Sequence, residues 1–494
     1  MSSVIAGSPD RKKEKGAVLI WVAGSLVVLL AMAAFAVDLG WFYLNRSRLQ
    51  AAADSAALAG VVNLPGFPAD ADADAASAAG SNGFPIGTTT SMTTNVTGDN
   101  QFEVGLMTTV DTFFLKVLGF ETMDIFSDAT AEYIKPVALG SPSNTFGGPS
   151  QNFWAAINGR YTEMNQGDPY ASLCIEHSDT AQTCNGATNP LYRPGGYYYA
   201  VEVAPGSSNL SVQIYDGGHY MDDDCGTNWT CNGSSDPGDT SWRWRWPSSE
   251  RGVRIQMNLY EPDQTPLDPT DNTNLRCSET FPTIAADNPN SSQENQGHYE
   301  KWTGNHNCSI GGSLTPGIWV LQFPSPLYEG SSKFGIRALV GSGTAPKVYG
   351  LLDMSIHVNF SGGIAQPYLA EVRPEHAGRT LEVDIFDLGE FNGSGSIEFI
   401  NAAGGTPSCN WSSDNGDQSA GYPSLIPCDI DISNRRFNED WINVDIEIPD
   451  TYTCEETTAT GCWWKIEIDT DGSVPTDRTT WSARITGDPV RLTE

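Results

Sequence analysis

The run from Gly16 to Val37 is 22 residues long and carries no charge. At about 1.5 Å of rise per residue, a helix of that length covers a hydrocarbon core of about 30 Å. Helical patterning then persists beyond Asp38 for about five more turns. Leu49, Ala52, Ala53, Ala56, Ala59 and Gly60 recur at i, i+3, i+4 and i+7 spacing and make one face of small residues. Arg46, Arg48, Gln50 and Asp54 lie between them. Small residues let a helix approach its neighbour closely. The stripe therefore calls for a partner, either another helix or a sheet of the same chain. Trp41 and Tyr43 suit the aromatic belt at the outer membrane interface.

Arg11, Lys12, Lys13 and Lys15 precede the apolar run. By the positive-inside rule residues 1–15 form a cytoplasmic basic tail and the bulk of the chain lies outside, extracellular or periplasmic. The competing reading is a secretory signal peptide, whose apolar core spans about 7–15 residues and ends at a small-residue cleavage site. The longer run and its helical continuation favour an uncleaved single-pass anchor over residues 16–62.

Residues 63–134 read as a small pilin-like β region. "QFEVGLMTTV" (101–110) alternates as a strand does, "FFLKVLG" is an apolar turn closed by Gly119, and "TMDIFSDATAEY" (122–133) is a second extended piece. The order of apolar helix, "AVDLG", aromatic turn, "RLQAAADSAALAG" and later "VLG…ATAEY" closely resembles TadG-like proteins of the TadE/TadG, Flp (tight adherence) pilus-assembly family over residues 10–135. The resemblance implies a single-pass accessory protein of pilus or appendage assembly, with other pilus-assembly proteins as partners and no enzymatic activity. Pilin-type subunits are cut after a Gly and carry a Glu five residues later. Here the fifth residue after Gly16 is Trp21, which argues against such processing.

"KPVALGSPSNTFGGPSQN" (135–152) reads as a Gly/Pro/Ser linker. Beyond it, period-2 strands recur in blocks. "YAVEVAPGSSNLSVQIYD" (199–216) matches "YLAEVRPEHAGRTLEVDIFD" (368–387), so Leu210, Val212 and Ile214 align with Leu381, Val383 and Ile385. "GIWVLQF" (317–323) matches "CWWKIEI" (462–468), and "KFGIRALVG" matches "TWSARITGD". Three blocks in one order, twice, predict tandem antiparallel β-sandwiches over residues 153–346 and 347–494. Strand phase and one Asp resemble secreted bacterial β-sandwich modules, including pre-peptidase C-terminal and jelly-roll carbohydrate-binding types.

Sixty acidic residues against 27 basic ones give a net charge of −33, which disfavours nucleic acid as a partner. The ten cysteines all follow residue 170 and fall into local pairs: Cys174/Cys184, Cys225/Cys231, Cys277/Cys308, Cys409/Cys428 and Cys454/Cys462. Outside the cytosol this reads as disulfides, with neighbour pairing the working assignment.

No zinc-protease motif, nucleophile elbow or P-loop occurs. His298 and His306 near Cys308 fall short of a metal ligand set. Asp216, Asp222, Asp223 and Asp224 are weak calcium candidates, because the ion takes six to eight oxygens. Otherwise no cofactor is expected. "SWRWRWP" puts Trp242, Trp244 and Trp246 on one face of a strand, either as core packing or as a platform for surface glycans. The sequence thus points to a non-catalytic, membrane-anchored assembly component. The alternative is a surface-anchored adhesin or carbohydrate-binding module.

Overall fold

The computed structural model describes residues 15–493, apart from 65–67, 98–100, 134–136, 149–150, 152, 177–182, 217–218, 222–238, 242–254, 264–267, 281–301, 303–306, 328–329, 359–363, 389–392, 420–425, 472–477 and 487–489. The chain forms two units. The first comprises residues 1–133 together with 490–494, and the second residues 134–489.

In the first unit, α1 (Lys15–Val61) is one unbroken helix of 47 residues. Nothing in it is Pro, so the ladder of backbone hydrogen bonds runs from the apolar run into the small-residue stripe. A short helix follows, α2 (Pro68–Ser81), where a β region is expected from the sequence. Pro68 sits at its first position and Asp70 in its first turn, both favourable at a helix start. Its Ala71, Ala75 and Ala79 repeat every four residues and are buried. Three antiparallel strands complete the module: β1 (Thr90–Thr97), β2 (Gln101–Asp111) and β3 (Thr122–Tyr133). A fourth strand, Val490–Leu492, pairs with β3 at Tyr133, Glu132 and Ala131. Arg491 donates from Nε and Nη2 to Glu132 at 2.9 and 2.7 Å. Residues 490–492 therefore belong to the first unit and not to the second sandwich, where the expected boundary at residue 494 had placed them.

The second unit is a two-layer assembly, antiparallel except where His219–Met221 runs parallel to Asp239–Ser241. Its strands run β4 (Thr145–Phe146), β5 (Phe153–Asn158), β6 (Tyr197–Val203), β7 (Ser208–Asp216), β8 (His219–Met221), β9 (Asp239–Ser241), β10 (Gln256–Tyr260), β11 (Leu275–Thr280), β12 (Cys308–Ser313), β13 (Gly317–Phe323), β14 (Ser331–Ser342) and β15 (Lys347–Leu351) in the first copy. The second copy holds β16 (Asp353–Val358), β17 (Ile364–Ala365), β18 (Tyr368–Glu371), β19 (Thr380–Leu388), β20 (Ser396–Ile400), β21 (Ser408–Ser413), β22 (Ile426–Pro427), β23 (Asp429–Asp431), β24 (Phe437–Glu447), β25 (Trp463–Asp469) and β26 (Thr479–Ile485).

The copies are tandem sandwiches, and they share their sheets. One layer runs β12-β7-β14-β5-β16-β26-β19-β24-β21-β22. The segment β7-β14-β5 is followed by β16-β26-β19, the matching strands in reverse order. The junction is an antiparallel pair, with Ile356 opposite Ala155 and Val358 opposite Phe153. Each copy thus covers the other's open edge. The opposing layer holds β11-β10-β13-β6-β15 from the first copy and β17-β25-β20-β23 from the second, with β18 also on β25. One large apolar core runs through both copies, from Phe146 and Trp319 to Trp464 and Trp481, and a smaller cluster around Tyr198, Tyr349 and Trp463 lies beside it.

Within the expected linker at 135–152, the described residues 137–148 instead pack into the interior. Leu139 bridges Gly350 on one side and Ala370 on the other, joining the two parts of the second layer. Val137, Ala138, Leu139 and Phe146 are buried. Gly and Ser are abundant here because backbones crowd together. Gly140 has φ +81°, and a Cβ on it would meet Phe146 Cε2 at 2.6 Å and Met354 Sδ at 2.7 Å. Replacing Leu139 by Ala is expected to destabilise the second unit by roughly 2–5 kcal/mol, seen as a lower denaturation midpoint. A flexible linker would tolerate the change.

Candidate functional site: the anchor helix and its support

The upper half of α1 buries Leu49, Ala52, Ala53, Ala56, Ala57, Gly60 and Val61, and Leu64 in the turn after it is buried too. The helix lies against β3, β2 and α2. The stripe thus finds its partner within its own unit. Of the six residues expected on it, five are buried; Ala59 is only half-buried, and Ala57 takes its place. The fit is tight at Gly60, where an added Cβ would run into the Phe102 ring and lie 2.9 Å from the Ala71 carbonyl. Gln50 reaches across to the Asp128 carbonyl at 2.8 Å, and Asn63 to Asp74 Oδ2 at 3.0 Å.

The same face continues downward through two polar residues that the small-residue pattern does not include, Asn45 and Asp38, both buried. Asn45 donates to the Trp41 carbonyl at 2.8 Å. Asp38 accepts the backbone N–H groups of Phe113, at 2.8 Å, Phe114, at 3.0 Å, and Leu115, at 2.7 Å. These three residues open the short 3-10 turn Leu115–Leu118 at the tip of the β2–β3 hairpin. Gly119 closes that turn at φ +91°, a conformation suited to glycine. Trp41 packs edge-on to Phe113 with ring centroids 5.4 Å apart. The spacing Asp38, Asn45, Leu49, Ala52, Ala56 was the available signal: a lone carboxylate in phase with the stripe.

Below Asp38 the helix has a different surface. Its side chains from Val18 to Val37 are exposed save for the half-buried Ala34, among them Leu19, Trp21, Leu29 and Phe35. This is the one helix among the described residues long and apolar enough to cross a membrane. Tyr43, just above, is exposed, whereas Trp41 is half-buried against the hairpin.

Some of the polar groups buried in the second unit bond one another. Asp168 accepts from Tyr197 Oη at 2.6 Å and from the backbone of Asn158 and Ala171 at 2.7 and 2.8 Å. Burial raises its pKa, against those donors. Thr480, from the second copy, donates to the Gly167 carbonyl at 2.6 Å, so the cluster ties the copies together. Burial pushes the Asp353 carboxyl up to about 7, even with Arg193 paired to it. That guanidinium also lies 4.0 Å over the Tyr170 ring. His357, on β16, is buried and held well below the usual histidine pKa, chiefly by burial.

Among the described residues four disulfides close, Cys174–Cys184, Cys277–Cys308, Cys409–Cys428 and Cys454–Cys462. Cys277–Cys308 connects β11 in one layer to β12 in the other. Cys225 and Cys231 lie outside the described residues, as do Asp222, Asp223, Asp224, Trp242, Trp244, Trp246, His298 and His306. Asp216 ends β7. Among the described residues no group of three or more His, Cys, Asp or Glu side chains could hold a metal ion.

Residues 16–66 match the family described as "Putative Flp pilus-assembly TadE/G-like". The N-terminal region is therefore TadE/G-like, and the match covers the apolar run and the whole packing stripe. No curated protein matches the chain. Among solved structures, one similar chain is "a putative secreted protein from Parabacteroides distasonis ATCC 8503". It shares 8% identity over 73% of this chain and 90% of that one, at a TM-score of 0.12, too slight to carry an argument.

Two outcomes test the support. Gly60→Ala is expected to destabilise the first unit by about 1–3 kcal/mol through overpacking, while Ala59→Leu changes it by roughly 0.5 kcal/mol or less; hydrogen exchange at Phe102 reads both. Asp38→Ala is expected to loosen the hairpin tip, because three part-buried N–H groups lose their shared acceptor. Faster amide exchange at Phe113, Phe114 and Leu115 would show it, with Asp38→Asn falling between variant and wild type.

Proposed function

We propose that this protein is a non-catalytic, membrane-anchored accessory component of Flp-type (Tad) pilus assembly. Its N-terminus faces the cytoplasm, and its double sandwich is carried outside the cytoplasmic membrane. The observation that carries the reading is the division of α1 into an exposed apolar half and a half buried on its own sheet. A pilin helix handed to a filament must exchange lipid for neighbouring subunits. Here the upper half already has its neighbour, and the lower half has a surface suited to lipid.

Further support comes from the TadE/G-like match over residues 16–66. The basic residues Arg11, Lys12, Lys13 and Lys15 favour the stated orientation. Disulfides are characteristic of compartments outside the cytosol, in keeping with that placement of the second unit. The buried polar cluster of Asp168, Tyr197 and Thr480 spends its hydrogen-bonding capacity on holding the copies together.

Because the stripe is consumed internally, partner contact must use other surfaces. Capture of the tagged protein from cross-linked membranes of a pilus-bearing cell is expected to enrich pilus-assembly proteins over an unrelated single-pass control. Equal recovery from both would overturn the assembly reading. The intact mass of the membrane protein provides a second check: with Trp21 five residues after Gly16, co-expression of a prepilin peptidase is expected to leave the mass unchanged.

A further inference from the structure

The β2–β3 hairpin ends in an apolar tip that the packing of the first unit leaves uncovered. Charge stops at Asp111 on one side and resumes at Glu121 on the other, with Lys116 the single charged residue between them. Val117, Leu118 and Phe120 are 83%, 74% and 61% exposed, and Phe113 and Phe114 are each 48% exposed. Large apolar side chains in such a cluster are costly in water, and contiguous patches of this kind mark interaction sites.

The level of the tip is fixed by Asp38. That carboxylate holds Phe113, Phe114 and Leu115 at the residue where the uncharged run of α1 ends. The tip therefore stands beside the outer end of the apolar helix surface. A groove of about 650 Å³ separates the two, with Leu30, Ala34 and Val37 on one wall and Phe114, Val117 and Leu118 on the other. Its walls are continuous with the lipid-facing surface of the helix.

We infer that the tip, residues 113–120, inserts into the outer leaflet of the membrane beside α1, and that lipid acyl chains fill the groove between them. The inference rests on the reading of α1 as a membrane anchor. Asp38 makes the insertion possible. It caps three backbone N–H groups at the hydrocarbon edge, where water is scarce and an unpaired donor costs most. Lys116 has a stem long enough to carry its ammonium back toward the headgroups. The module is thus held at two points, a spanning helix and a monotopic wedge, and two points restrict its rotation about the helix axis as one cannot.

The test uses the full-length chain in vesicles of phosphatidylethanolamine and phosphatidylglycerol. Single cysteines are introduced as Val117→Cys, Leu118→Cys, Leu29→Cys and Asn82→Cys, all at exposed positions, and labelled with nitrobenzoxadiazole without reduction. Labelled wild type serves as the blank. Probes at 117 and 118 are expected to follow the one at 29, with blue-shifted emission, quenching by nitroxide-bearing acyl chains and an iodide-quenching slope far below that at 82. If 117 and 118 instead follow 82 while 29 reports lipid, the tip stays in water and the inference fails while the anchor stands. If 29 is also open to iodide, the anchor reading fails and takes the inference with it. Shielding of 117 and 118 from both quenchers would mean that protein covers the tip, which overturns lipid as its occupant.

Discussion

The first unit depends on how closely α1 can approach β2 and β3. An α-helix carrying Leu or Ile at every facing position stands 8–10 Å or so from its neighbour. Alanine and glycine on the stripe bring the backbone nearer, and Phe102 fills the hollow that Gly60 leaves. This choice has an electrostatic corollary lower down. Since the helix is already close to the hairpin, a side chain as short as Asp38 can reach three main-chain donors there. Close packing above and the carboxylate cap below are two expressions of one geometric condition.

The second unit solves a different problem. A sandwich has open edges, and two sandwiches strung on a flexible linker would have more of them. Pairing β5 with β16 removes an edge from each copy, and the segment around Leu139 does the same in the opposing layer. The reward is a main core shared by both copies, which improves the ratio of buried to exposed surface. Asp168, Asn158 and Thr480 lie along this junction, where strands from both copies bring their backbone groups into the interior and need polar partners.

Much of this was legible in the sequence, and the misreadings have physical causes. The apolar run, the stripe and the strand phases are periodic signals, so helix, support and repeat could be read. In an alanine-rich helix the small-residue pattern does not distinguish Ala57 from Ala59, since both have the size the packing wants. Residues 137–148 have linker composition because Gly140 and its neighbours sit where strands converge; crowding and flexibility select the same residue types. The strand 490–492 is too short to show a period, and its partner lies more than three hundred residues away. Asp38 was visible as a charge at the end of an apolar run, but its three acceptor contacts depend on a hairpin fold that no local pattern announces.

The pairing of Val490–Leu492 with β3 also sets an order of events in time. Chains are made from the N-terminus onward. The helix, α2 and strands β1 to β3 are complete when Tyr133 emerges, yet the free edge of β3 cannot be closed until the whole intervening module has followed. A chain whose synthesis stalls within the sandwiches would carry an unpaired edge on β3, and one made past Leu492 would not. The strand Val490–Leu492 thereby reports, in the first unit, that everything between has been made.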